Sequence, residues 1–529
     1  MTDSTVPLHE RPDIHERRWF LLGVMCLSLV LVVMSVSGLN VAIPSLAFDL
    51  DASATDLQWI VDSYAIIFAG LLLTAGAIGD RYGRKLALLG GLAVFGFGSL
   101  IGVIASTPAQ VIVARSVMGV GAAFVMPATL SLVTVVFPPA ERTKAIAIWA
   151  GFAGAGGALG PLIVGFLLSD WWISPAFWWG SAFAVNIVVV ALVFAAVALY
   201  TPRSRDDSAT PLDPVGALLS IVALGALLYG IIEGPNRGWT DQLVLGSFLV
   251  AGIMVVLFLS WEARARHPML PLRFFEDRRF ATGSLVITVA FFMMFGFFFL
   301  ATQYLQFVRD YSPLDAGVAT LPLAFTLVIV SPRSAALVDR VGLNRVISFG
   351  FGSVTAGFVV MALLEPGSPY LQFAAGLVLL GAGMGVTAAP STGAIMSSVP
   401  LNKAGVGSAV NDTTREVGGA LGIAVLGTIA TSAYRGAIES SALGDGEVQM
   451  ANGSIGEALR AASAVAADDP SRGAAIASEA GQAFTDAFTV TAGVSAVLAF
   501  AAAVTLFLIS RRPPTGEVVA RAESRGAKG

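Results

Sequence analysis

Residues 76–85 read GAIGDRYGRK, and residues 339–342 read DRVG. The first joins two long apolar runs, 58–78 and 86–105. The second joins two more, 315–337 and 346–364, so a DRxG sequence recurs at an offset of 259 residues. A second match has nearly the same offset: GGALG stands at 156–160 and again at 418–422, 262 residues apart. Either match alone is short enough to arise by chance. Two matches at near-equal offsets and equivalent places mark an internal duplication.

Composition says what is duplicated. The chain has 529 residues, 56% hydrophobic and only 12% charged, with a mean hydropathy of +0.79. A soluble globular chain carries about 25% charged residues. That excludes a soluble enzyme, a disordered protein and a nucleic-acid binder acting through a basic face. A membrane helix needs about 20 apolar residues. Fourteen such runs are present: 19–40, 58–78, 86–105, 108–132, 145–168, 177–199, 213–233, 243–262, 281–306, 315–337, 346–364, 369–395, 416–433 and 486–510. Setting aside the seventh and eighth places both repeated motifs at matching positions in two sets of six. The expected fold is an all-α polytopic membrane protein with 14 transmembrane helices, six plus two inserted plus six. The expected segments are a tail at 1–18, a first bundle at 19–199, the inserted pair at 200–280, a second bundle at 281–510 with a long outer loop at 434–485, and a tail at 511–529. Duplicated halves with a site between them are a transporter plan.

Charge sets the orientation. Lys and Arg concentrate on the cytoplasmic side of a membrane. With the N-terminus inside, 25 of the 31 Lys and Arg fall in inner segments and five in outer loops. The remaining one, Arg115, lies inside a span. Both termini are therefore expected in the cytoplasm. The first run is too long, and too poor in a cleavage signal, to read as a signal peptide, and its outer end runs into Pro44. One cysteine, Cys26, gives no internal disulfide framework, and three His with one Cys make a metal site unexpected.

Chemistry inside the membrane narrows the candidates. Arg115 lies about seven residues into its span, roughly 10 Å of rise. Such a group costs about 2.5–3.5 kcal/mol on insertion scales and faces a cavity or a partner. Asp62, in WIVDSY (59–64), sits at a similar depth. The two could pair, or Asp62 could take a proton when the cavity opens outward; the plainer reading is an interfacial acid beside Trp59. Glu233, beside Gly234 and Pro235, is a third proton-coupling candidate or an exposed loop acid. In the 76–85 loop, Gly76, Asp80, Arg81, Gly83 and Arg84 could form a charged conformational latch, with Asp339 and Arg340 as its second copy; a plain basic loop is the alternative. In GGALGPLIVG (156–165), Gly156, Gly160 and Gly165 offer a smooth face and Pro161 a kink, suited to a rocking interface or to ordinary packing. FFMMFGFFFL (291–300) gives adaptable apolar walls or a lipid-facing stripe. Substrate-wall candidates are Tyr64, Phe292, Phe295, Phe299, Gln303 and Gln306. Asn411, Asp412, Arg415 and Glu416 read as a polar cluster opening the thirteenth span, or as its cap. No GxxxxGK[ST], HExxH or GxSxG occurs.

These motifs resemble those of the major facilitator superfamily, and within it the fourteen-span drug:proton antiporters. GAIGDRYGRK is similar to the loop motif between spans 2 and 3. RSVMGVGAA (115–123) is similar to the span 4 motif, whose Arg is tied to proton transfer. GGALGPLIVG is similar to the antiporter motif of span 5. NVAIP (40–44), Pro268–Phe275 with Phe280, and GVGSAVNDTTREVGGALG (405–422) also fit this branch. The sequence departs from the pattern at Ser35, where an Asp often stands, and at Val164, where a Gly is expected. Leu377 and Ile423 replace Arg115 and Pro161 in the second half. The resemblance implies a proton-driven exporter of lipophilic small molecules in the cytoplasmic membrane, monomeric, using no cofactor and binding no nucleic acid. Rivals on the same fold are a dedicated exporter of one endogenous metabolite, an uncoupled facilitator, and a sensor or scaffold.

Overall fold

The structure, a computed structural model, describes residues 10–168, 179–204, 213–266, 268, 270, 272–399, 404–441 and 443–510. The 511–529 tail, residues 1–9 and the Asp80 side chain lie outside the described residues.

Among the described residues, seventeen α-helices follow one another: α1 (Pro12–Asp49), α2 (Ala54–Tyr82), α3 (Arg84–Ile104), α4 (Pro108–Val136), α5 (Pro139–Leu167), α6 (Ser181–Tyr200), α7 (Pro214–Arg237), α8 (Gln242–Arg264), α9 (Arg278–Gln303), α10 (Pro313–Ala319), α11 (Leu321–Val341), α12 (Leu343–Ala362), α13 (Tyr370–Ser397), α14 (Ala404–Glu439), α15 (Asp445–Ala451), α16 (Ile455–Ala466) and α17 (Pro470–Ser510). A π-helical turn, Tyr304–Val308, prolongs α9. Local chemistry starts them: Ser53 and Asp56 form a reciprocal cap on α2, and Asp241 and Asp277 accept backbone N–H groups at α8 and α9. A helix lies over each of the fourteen apolar runs. Among the described residues, twelve helices are long and apolar enough to cross a membrane.

Two features exceed the sequence reading. Helix α1 runs through Pro44 to Asp49, because neighbouring helices tolerate the missing backbone bond. The 434–485 segment is helical almost throughout. It carries the end of α14, then α15 and α16, and the start of α17. Tyr434 ties α14 to this segment by donating to the Ala451 carbonyl at 3.1 Å. Arg460 of α16 donates to the Ala47 carbonyl at 2.7 Å and pairs with Asp51, so α16 is fastened to the end of α1.

The duplication is visible in packing. Helix α5 lies on α1, with Gly156 against Val30 and Val33, and Gly160 against Met34 and Gly38. In the second half α14 lies on α9, with Gly418 against Thr288 and Gly422 against Phe292. The same GGALG sequence thus holds the fifth helix of each half to the first. The DRxG loops also match: Gly83 and Gly342 end α2 and α11 with φ of +124° and +89°. An L side chain is strained at such angles, by about 1–3 kcal/mol at its most unfavourable. Gly83→Ala is expected to lower the thermal midpoint of the detergent-purified protein, whereas Gly90→Ala, with no neighbour within 4 Å of the added carbon, is not.

Helices of the two halves pack on one another. Helix α1 packs on α9, α2 on α14, and α5 on α10. Helix α7 touches both α2 and α14, while α8 packs mainly on α7.

Candidate functional site

Arg115 on α4 is buried, 1% exposed. Its Nε donates to the Ile60 carbonyl at 3.1 Å and its Nη1 to the Ser35 carbonyl at 3.4 Å. The guanidinium lies 4.2 Å from the centre of the Tyr64 ring, a cation–π contact. Tyr64 in turn rests against Phe68. Ser35 stands beside Arg115 through its backbone, and the single hydrogen of its hydroxyl is shared between the Leu31 carbonyl and Asn186 Oδ1, at 3.0 and 2.9 Å. The departure from an acid at position 35 therefore falls directly at Arg115.

Asp62 is fully buried, and neither carboxylate oxygen has a hydrogen-bond partner. Among the described residues it forms no ion pair with Arg115. The two share a depth but not a face: Arg115 reaches the backbone of Ile60 and the ring of Tyr64, either side of Asp62. The interfacial reading of Asp62 also fails, since the side chain has no exposed surface. Glu233 sits in an i,i+4 pair with Arg237 at 3.4 Å near the end of α7, away from Arg115.

Sequence reasoning undervalued the cluster on α14. Residues 411–416 lie about two turns inside the helix, which begins at Ala404, so they do not cap it. Asp412 lies 3.9 Å from Arg415. Arg415 Nη2 donates to Thr392 Oγ1 at 3.2 Å, and its guanidinium faces the Phe291 ring at 5.2 Å. Glu416, one helical turn on from Asp412, has a buried Oε2 with no hydrogen-bond partner. The signal available was spacing: Asp412 and Glu416 are four apart and share one helix face.

The substrate-wall candidates divide. Phe295 lies over Gly419 and against Phe291, in the wall around α14. Phe292 is partly buried and its backbone meets Gly422. Phe299 is buried, and Gln303 is folded back onto the Phe299 carbonyl at 2.8 Å. Gln306 bridges the halves instead, donating to the Val41 carbonyl at 2.9 Å.

Helix α5 builds the seam between halves. The Gly165 position meets Pro313 and Leu314 of α10, and Gly317 of α10 meets the Pro161 backbone. Of the expected 76–85 loop only Gly83 lies outside α2 and α3; Gly76 faces Pro127 and Gly79 faces Ala87. The Arg84 N–H donates to the Ser204 carbonyl at 2.9 Å and its Nη1 to the Ser204 hydroxyl at 3.1 Å, just beyond α6. Arg81 is exposed and lies over Tyr82, and Asp339 and Arg340 are exposed.

Known proteins share this plan. The solved bacterial homologue of the human lysosomal transporter Spinster, inward-facing and unoccupied, superposes with a TM-score of 0.63 at 18% identity, covering 96% of this chain and all of that one. The multidrug efflux pump LfrA of Mycolicibacterium smegmatis is 33% identical over 94% of this chain and 97% of its own length. The methyl viologen resistance protein SmvA of Salmonella typhimurium is 32% identical over 88% and 93%. The puromycin resistance protein pur8 of Streptomyces alboniger is 34% identical over 81% and 86%. A sequence model of the superfamily covers residues 25–423. The paired halves, the repeated glycine seams and this end-to-end similarity agree: the chain belongs to the Major Facilitator Superfamily.

Proposed function

We propose that this transporter exports hydrophobic or amphipathic small molecules across the cytoplasmic membrane in exchange for protons. The reading takes fourteen spans, both termini in the cytoplasm, a monomer in the lipid bilayer, and the proton gradient in place of any cofactor. The observation that carries it is Asp62: a carboxyl group inside a span with no exposed surface and no hydrogen-bond partner. Burying such a group costs far less with a proton than without one. Proton gain and loss therefore bias which conformation the helices adopt.

The geometry supports alternating access. The halves are joined at the outer end by Gln306 and Val41, by Gly165 and Pro313, and by Arg460 and α1. This favours an inward-facing state, in which cargo enters from the cytoplasm or inner leaflet against Phe291 and Phe295. Proton entry from outside at Asp62 then resets the protein. Arg115 holds the first half's backbone at Ile60 and Ser35 while this happens. One charge crossing 100 mV is worth about 2.3 kcal/mol. At about 1.4 kcal/mol per decade, that sustains roughly forty-fold accumulation.

The test uses inverted membrane vesicles holding the protein, with an imposed pH gradient. Lipophilic cations and neutral antibiotics are added one at a time. Dissipation of the gradient on addition of a compound is expected; none with any compound, from folded protein, sinks the multidrug reading. A second reading, a dedicated exporter of a self-made compound, draws on the tetracenomycin C resistance and export protein of Streptomyces glaucescens, 31% identical over 79% of this chain. It predicts that one compound alone evokes proton movement.

A further inference from the structure

Arg115 holds a full positive charge where water does not reach it. Its contacts are two backbone carbonyls and one aromatic face. Its Nη2 has no hydrogen-bond partner. Among the described residues, no carboxylate pairs with it.

Beside Arg115 lies a small cavity between α1, α4, α5 and α6, with room for about one water-sized particle. Its polar lining is Ser35, Arg115 and Asn186; Met34, Met118 and Phe183 are among its apolar walls. The groups there are mostly donors. Asn186 Nδ2 gives one hydrogen to the Ala182 carbonyl at 3.2 Å and keeps a second. The Ser35 hydroxyl is turned to Leu31 and Asn186. No carboxylate lines the space. A donor set around an unpaired cation suits an anion, and the apolar walls and small size suit one without a hydration shell.

We propose that this cavity binds a monovalent halide, chloride in the cell, as the counterion of Arg115. The carboxylate of Glu416, whose buried Oε2 has no hydrogen-bond partner, belongs to α14 in the opposite half. When the halves rock, Glu416 moves relative to Arg115. A halide held within the first half travels with the guanidinium and keeps its charge compensated in both states.

The test uses the full chain purified in detergent. Crystals or grids grown with bromide are expected to show bromide beside Arg115 Nη2 and Asn186 Nδ2. Chloride or bromide is expected to raise the thermal midpoint above that in gluconate at equal ionic strength; a halide at ten times its dissociation constant shifts the folding equilibrium about tenfold. Ser35→Asp supplies a fixed carboxylate at the same place and is expected to remove both effects. Should that variant fail to fold, Asn186→Leu, which fills the space with an apolar group, is expected to weaken the halide response. Equal midpoints in all salts, density for water alone beside Arg115, or a full halide response in Ser35→Asp overturns the proposal. Neither readout involves transport, so failure here is separable from failure of the export reading.

Discussion

Gly165→Val is expected to abolish export while the protein still folds and inserts. A side-chain carbon at Gly165 would lie 2.7 Å from the Pro313 carbonyl oxygen and 3.0 Å from Leu314 Cα. These are backbone atoms and cannot turn aside. The reverse contact is as tight, with a carbon at Gly317 lying 2.8 Å from the Pro161 carbonyl. Overpacking costs about 1–3 kcal/mol. Placed at a seam that one conformation closes, that cost lowers the population of the closed state about five- to 150-fold. Spin labels at Ser106 and Gly367, on loops at that end of each half, are expected to move apart. Gly23→Val is the control, because nothing lies within 4 Å of its added carbon. Unchanged label distances in Gly165→Val would show that the seam gives way without opening.

Asp62→Asn is the second large effect. The amide keeps the size of the side chain and loses the exchangeable charge. Substrate-evoked proton release in inverted vesicles is expected to vanish, and with it the accumulation that the gradient drives. Passive binding of lipophilic compounds is expected to survive, because Phe291 and Phe295 lie in the second half. Glu416→Gln is the informative partner. Release retained in Asp62→Asn and lost in Glu416→Gln would move the proton site to α14.

The duplicated plan was legible in sequence because glycine reports backbone constraint directly. Gly83 and Gly342 close the two DRxG motifs, and both take positive φ. The GGALG pair was legible for the same reason, since only small residues allow such approach. What these surfaces touch was not legible. Nothing local says that Gly165 meets Pro313 of the other half while Gly160 meets α1. Membrane depth placed Asp62 and Arg115 together, but depth fixes only one of the coordinates that matter. The face of each helix turned Arg115 to Ile60 and Ser35 and left Asp62 alone. The 411–416 cluster was visible as charge, with a cap left as one of its two readings, because the start of α14 is not marked by apolarity. The outer segment lacked a long apolar run, so its two short helices gave little signal.

Helix α7 changes how a compound dissolved in the bilayer meets the protein. The inserted helix is tied to α14 by Thr428, which donates to the Ile231 carbonyl at 3.0 Å, and by Arg435, which donates to the Pro235 carbonyl at 2.9 Å. It is tied to α2 through Asn236 and Thr55, and by Ile221 seated over Gly70. The α2–α14 crossing is thus roofed by protein, whereas around α5, α10 and α11 the apolar side chains Leu159, Val318 and Phe325 are exposed. A molecule with two such flanks has a front and a back in the plane of the membrane. Oily cargo travelling sideways in the bilayer finds a wall on one flank and an uncovered threshold on the other.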